Sequence, residues 1–155
     1  MARKRDQIKM SEPELGAFLA SERVVSVSTN GRDGWPHVMA LWYVMRDGEP
    51  WIYTYAASQK VRNLERDDRA TLMIETGNEY QELRGVMLKT HAEIHRELDE
   101  VAPVAEELFA KYQGGTEVDA ATRDALRAQA AKRVAIRFRV SETTSWDHSK
   151  LGGTY

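Results

Sequence analysis

Eight consecutive residues, Tyr53-Thr54-Tyr55-Ala56-Ala57-Ser58-Gln59-Lys60, put a strand ending in threonine, a turn of small residues and the start of a helix in direct succession. A helix N-terminus presents N–H groups without intrahelical partners and a partial positive charge. Two hydroxyls and a lysine ammonium added there make a site for a phosphate group. The same residues admit a plainer reading, in which Ser58 caps the helix and Lys60 is solvated. Two further stretches carry chemical interest. His37 to Met45 (His-Val-Met-Ala-Leu-Trp-Tyr-Val-Met) is apolar on both faces. A strand of that kind is covered twice, by the core on one side and by a ligand or partner on the other. It can also wall a flat aromatic cofactor, offering backbone groups to the ring edge and apolar side chains to its face. Read alone, it is equally a central core strand. In the C-terminal stretch, Trp146-Asp147-His148-Ser149-Lys150-Leu151 sets a tryptophan among polar residues. Such a tryptophan covers a partner subunit or a ligand, or packs loosely on a rim.

Other chemistries lack their residues. The chain has no cysteine, which removes disulfides, thiolate zinc sites and cysteine nucleophiles. His37, His91, His95 and His148 are scattered, with no carboxylate spacing of ligand type, so no metal is expected. There is no Gly-x-Ser-x-Gly elbow, no GxGxxG and no Walker loop. No residue stands out as a dedicated acid, base or nucleophile. Arg133, Arg137 and Arg139 form a basic stripe. With Lys+Arg 22 against Asp+Glu 24, net −2, the stripe reads as an ion-pairing or interface face and not as a nucleic-acid groove.

The elements that must position these residues follow from pattern. Ser11-Glu12-Pro13-Glu14 is a capping box opening a helix over 11–20. A strand over 23–29 leads through the turns Asn30-Gly31 and Asp33-Gly34 to the strand 37–45. Asp47-Gly48 is a hairpin turn, and 51–55 is the return strand. A short helix over 58–66 is followed by a strand over 70–75. A long strand over 83–95 is expected to bend near Gly85. Two helices over 97–112 and 119–132 come next, with Pro103 able to end or kink the first and Gly114-Gly115 between them. A strand over 133–140 alternates cleanly and a polar tail over 141–155 closes the chain. Strands joined by hairpins, with helices inserted late, predict one α+β domain over 1–155: an antiparallel barrel decorated by helices. No run approaches a membrane helix and no signal-peptide core follows the basic N-terminus, so the expected compartment is the cytoplasm, with no membrane partner.

Taken together, Gly34-Trp35-Pro36, the stretch Trp51 to Lys60, Asn63-Leu64 and Arg69-Ala70-Thr71-Leu72 resemble the pyridoxamine 5′-phosphate oxidase-like superfamily. Tyr80 to Val86, Lys132-Arg133-Val134 and Ser145 to Leu151 are similar to its F420-dependent reductase branch. The resemblance spans about residues 11–152. It implies a split β-barrel of the FMN-binding-protein kind, assembled as a homodimer around the deazaflavin F420 or around FMN. It implies that Lys60, with Thr54, Ser58 and Gln59, holds the cofactor phosphate, and that Met39, Ala40, Leu41 and Trp42 line the ring. Trp146 and Lys150 match a Trp-x-x-x-basic-Leu tail that reaches the cofactor from the other subunit. Met39 and Val44 stand where the oxidase carries basic residues, and Lys150 where it has arginine. The resemblance therefore favours F420 over FMN, and hydride transfer to a small organic substrate over pyridoxamine phosphate oxidation. A barrel that only binds a flavin, deazaflavin or tetrapyrrole, and an empty-barrel interaction protein, are the competing readings.

Overall fold

The computed structural model describes residues 2–113 and 117–152. Its helices are α1 (Lys4–Gln7), α2 (Glu12–Ser21), α3 (Gln59–Arg66), α4 (Leu98–Tyr112) and α5 (Ala120–Ala130). Its strands are β1 (Val24–Asn30), β2 (Pro36–Trp42), β3 (Val44–Arg46), β4 (Glu49–Tyr55), β5 (Arg69–Thr76), β6 (Arg84–His95) and β7 (Arg133–Asp147). The strands form one antiparallel sheet in the order β2-β1-β5-β6-β7-β4-β3. The sheet curls until β2 approaches β4. The result is the split β-barrel expected from the sequence.

Local chemistry explains the elements. The capping box on α2 is complete: Ser11 N–H donates to Glu14 Oε2 at 2.7 Å, and Glu14 N–H to Ser11 Oγ at 3.3 Å. Asp47 and Gly48, both at positive φ, make the two-residue hairpin between β3 and β4. Val25, Val27, Ile52, Leu72, Ile74, Val86, Val134, Ile136 and Phe138 fill the barrel. Ala135, Trp51 and Tyr53 face outward, under Val101, Val104 and Leu108 of α4. The alternation expected for 133–140 is thus a division between barrel interior and helical cover.

Four expectations need revision. The single strand over 37–45 is two strands. Tyr43 between them is fully buried, and its hydroxyl donates to Leu19 O at 2.5 Å. Its backbone N–H donates to Tyr112 Oη at 3.1 Å and its carbonyl accepts from Lys111 Nζ at 3.1 Å. Side chains of α4 thus take the backbone bonds a strand would use, and the chain crosses from one sheet edge (β2) to the other (β3). The alternative reading of this stretch as a central core strand also falls: β2 is an edge strand, with Val38, Met39 and Trp42 57, 44 and 59 % exposed. The tail expected from Ser141 starts later, because β7 continues to Asp147 by pairing with β6. Its polar stretch hid this, since residues 142 and 143 are exposed while their backbone is paired. Finally, the irregularity in β6 falls between Lys89 and Thr90, opposite an unpaired Ser141, and not at Gly85. Pro103 leaves α4 continuous. The glycine pair 114–115 lies outside the described residues.

Gly85 serves a different purpose. It pairs with Trp146 of β7, and a Cβ there would stand 2.3 Å from the indole Cζ2 and 3.0 Å from Ile74 O. Gly85→Ala should therefore lower unfolding stability by about 1–3 kcal/mol, the usual cost of overpacking. Urea denaturation checks this, and an unchanged midpoint would contradict the close approach.

Candidate functional site

The ends of β1 and β4 and the first turn of α3 meet at one rim of the barrel. Thr54, the last inward residue of β4, is buried. Ser58 occupies the N-cap position of α3, yet its side chain makes no capping bond. Its Oγ is buried with no hydrogen-bond partner. The plain capping role open to Ser58 in the sequence is therefore not what its hydroxyl does. Lys60 is only 7 % exposed, and its Nζ donates to Thr54 Oγ1 at 2.9 Å. Among the described residues no carboxylate forms an ion pair with it. Burial lowers its pKa from the ordinary lysine value.

The neighbours hold this arrangement rigidly. Asn63, fully buried, donates to Thr29 Oγ1 at 3.1 Å. Gln59 Nε2 donates to Asn63 Oδ1 at 2.9 Å. Arg66 donates to Asn30 O at 2.7 Å. Helix α3 is thus pinned to the end of β1 while Lys60 reaches β4. Asn63 entered the sequence reading only within the Asn63-Leu64 motif, without a role, and Thr29 and Arg66 were not singled out. The one available signal was the spacing of Lys60 and Asn63, three apart and so on one helix face.

Electrostatically the rim is positive. The first turn of α3 contains no acidic residue, and Lys60 adds a full charge to the helix's own partial one. A groove of about 920 Å³ opens beside it, between the Gly31–His37 turn and α3. Arg32, Arg62 and Arg66 line it against Asp33 and Glu65. His37 lines it too, with a buried Nδ1 that has no partner. The arrangement suits an anionic group at Lys60 and further negative charge along the groove.

Strand β2 continues away from that groove. Met39, Ala40, Leu41 and Trp42 pair with Val27, Ser26, Val25 and Val24 of β1. On its other side β2 has no strand neighbour, so it presents backbone N–H and C=O groups beside apolar side chains. The structure therefore brings Lys60 onto Thr54, with Ser58 and Gln59 in the same turn, while Met39, Ala40, Leu41 and Trp42 lie along the edge strand β2. Trp146 and Lys150 lie elsewhere in their own chain. Thr54 pairs with Val134 at one end of β7, and Trp146 stands near its other end, about 40 Å of strand away. Lys150 Nζ donates to Glu14 Oε2 at 2.6 Å and Lys9 O at 2.9 Å. His91 and His95, weighed as ligands, face Asp68, Glu93 and Glu100. No group of three or more potential metal ligands occurs among the described residues.

A sequence profile described as pyridoxamine 5′-phosphate oxidase matches residues 11–147. The chain belongs to the pyridoxamine 5′-phosphate oxidase family. A conserved hypothetical protein from Mycobacterium tuberculosis shares this family member's fold at a TM-score of 0.91 and 38 % identity, over 99 % of this chain and 95 % of that one. A protein described as an F420 reductase aligns with a TM-score of 0.63 and 22 % identity, over 82 % of this chain and 93 % of that one. The haem storage protein HutZ from Vibrio cholerae aligns with a TM-score of 0.67 and 15 % identity, over 89 % and 97 %. At such identities the last two establish the split β-barrel alone. Among proteins of curated function none matches the sequence. No described helix is long and apolar enough to cross a membrane.

The buried ammonium sets a pH dependence. The unfolded chain holds the Lys60 proton up to the ordinary lysine value of 10.5, whereas the folded chain releases it sooner. Between those points the unfolded chain binds more protons, so stability rises with pH across that interval. Lys60→Met lacks this contribution. The stability of the parent relative to Lys60→Met should therefore increase between pH 7 and pH 10 in urea unfolding. A difference independent of pH would contradict an uncompensated buried ammonium.

Proposed function

We propose that this family member is an oxidoreductase that holds the deazaflavin F420 between two copies of itself and passes hydride to a small organic substrate. The observation that carries the reading is the buried Lys60 ammonium, bonded among the described residues only to Thr54 Oγ1 and set in an acid-free first turn beside the unpartnered Ser58 hydroxyl. A cation placed there without an anion is costly; a cofactor phosphate compensates it. The residues present fit such a group.

The cofactor, when bound, supplies the hydride chemistry. The chain's own residues bind and orient. Lys60, Thr54, Ser58 and Gln59 grip the phosphate, and Arg32 and Arg62 offer charge to an acidic tail along the groove. That second feature favours F420, with its longer acidic end, over FMN. Met39, Ala40, Leu41 and Trp42 supply the apolar wall, and the unpaired edge of β2 supplies backbone groups for the ring. An exposed apolar edge strand is also what a second copy would cover. The partner's Trp146 would then close the site. Lys150 is already bonded to Glu14 within its own chain, which leaves the tryptophan the stronger of the two tail candidates.

Fluorescence titration of the parent protein and Lys60→Ala with F420 and with FMN tests this. Loss of one charge-assisted contact of about 1.5–3 kcal/mol corresponds to roughly a tenfold or greater loss of affinity. Tighter binding of FMN than of F420 would reassign the cofactor. Unchanged affinity in Lys60→Ala would remove the phosphate site.

A further inference from the structure

A hollow of about 290 Å³ opens on the outer face of the sheet, where β1, β5 and β6 lie side by side. It shares no lining residue with the groove beside Lys60. Cross-strand pairing sets Ser28, Thr71 and Lys89 in one row, and Arg69 beside His91 two residues along on the same face. All five line the hollow, together with Ser141 of β7. No aspartate or glutamate belongs to its lining.

The cations are held by carboxylates that stay outside that lining. Arg69 donates from Nε to Asp67 Oδ1 at 3.0 Å and from Nη2 to Asp67 Oδ2 at 2.8 Å. Asn30 Nδ2 donates to the same carboxylate at 2.9 Å, and the Arg69 backbone N–H at 3.2 Å. These bonds, those of the Arg69 side chain foremost, hold the Asp67 carboxyl well below the usual carboxylate range. They also fix the guanidinium in one orientation, with Nη1 left over among the described residues. Lys89 Nζ donates to Glu142 Oε2 at 3.2 Å, and an ammonium has three protons to give. His91 turns Nδ1 to Asp68 at 2.9 Å, which leaves Nε2. The β6 irregularity completes the wall. Lys89 pairs with Glu142 and Thr90 with Val140, so Ser141 is skipped, and its Oγ donates to Lys89 O at 3.0 Å. A bulge bends its strand and re-aims side chains; this one brings a β7 hydroxyl to the hollow from beyond β6.

We infer that this hollow binds a phosphoryl group, as inorganic phosphate or as the head of a small phosphate monoester. Two permanent cations, Arg69 and Lys89, match a dianion, and Ser28, Thr71 and Ser141 offer hydroxyls to its remaining oxygens. A guanidinium of preset orientation suits phosphate oxygens in its plane. The ion pairs to Asp67 and Glu142 are exposed and individually weak. They position the two cations and leave room for a partner that contacts both at once. A monocarboxylate carries too little charge to do so. This inference is independent of the cofactor proposed above.

The test follows NMR shifts of the full chain, without cofactor, during titration with inorganic phosphate, glycerol 3-phosphate and acetate at constant pH and ionic strength. The two phosphoryl compounds should shift Arg69, Lys89 and His91 together and saturably, and acetate should bind at least about tenfold more weakly. A preference for the ester identifies a phosphorylated small molecule and a preference for the ion identifies free phosphate; either supports the site. Lys89→Gln should weaken phosphate binding at least about tenfold. Thr71→Glu, which sets a carboxylate at the exposed centre of the hollow, should abolish it, and thermal unfolding verifies that both variants keep their fold. Lys60→Ala should leave these shifts in place. Equal responses to phosphate and acetate would overturn the inference, as would binding unmoved by both Lys89→Gln and Thr71→Glu. So would the absence of a saturable response at Arg69 and Lys89, the outcome if a second copy covers this face. Loss of these shifts in Lys60→Ala would assign the phosphate to the barrel rim instead. Failure at Arg69 and Lys89 leaves the Lys60 reading intact.

Discussion

The bond from Lys60 Nζ to Thr54 Oγ1 is the constraint around which this barrel rim is organised. It asks a cationic side chain to lie almost wholly buried against a single neutral oxygen, at the end of a helix that is already positive. Folding alone has no use for that placement, since a methionine would fill the same space without the desolvation. The surroundings keep it there nonetheless. Asn63 ties α3 to Thr29, Arg66 ties it to Asn30, and Ala56 N–H donates to Lys132 O to fix the turn between β4 and α3. A rigid frame around an uncompensated charge is the arrangement expected where binding energy is collected from an anion.

The rest of the fold serves the same rim from a distance. Tyr43 lets the chain leave β2 and rejoin the sheet at the far edge as β3, so the barrel closes only in part and β2 keeps one edge free. The helical insertion reaches across that gap. Tyr112 and Lys111 bond the Tyr43 backbone, and Tyr112 stacks on Trp42. One strand is thereby flanked by a charged groove at its start and the Trp42–Tyr112 stack at its end. This division lets a molecule with one anionic end and one flat end lie along β2 with each part in matching surroundings.

Much of this was legible in the sequence, for stated reasons. The capping box, the Asp47-Gly48 hairpin and the alternation of Val134, Ile136 and Phe138 are local signals, and the local structure follows them. The strand–turn–helix around Thr54 and Lys60 was also local, so these elements of the candidate site could be read in order. What escaped depends on contacts distant in sequence. Tyr43 breaks its strand because Tyr112, about seventy residues on, takes its backbone N–H. Glu142 to Thr144 look like a tail because pairing with β6, which makes them strand, leaves no hydrophobic trace. Thr29 and Asn63 are ordinary polar residues until the fold sets them 3.1 Å apart. Trp146 was read as a cover for a ligand or partner, or as loose packing on a rim; within its own chain it lies against Gly85, a fit only the register reveals.

The most direct measurement of the central claim is the titration of Lys60 itself, followed by the NMR shifts of its Cε and Nζ in the free protein and with F420 added. The account predicts a pKa below the ordinary lysine value of 10.5 in the free protein and an upward shift when the anionic cofactor arrives. A Lys60 that titrates like an exposed lysine and does not respond to the cofactor would contradict it.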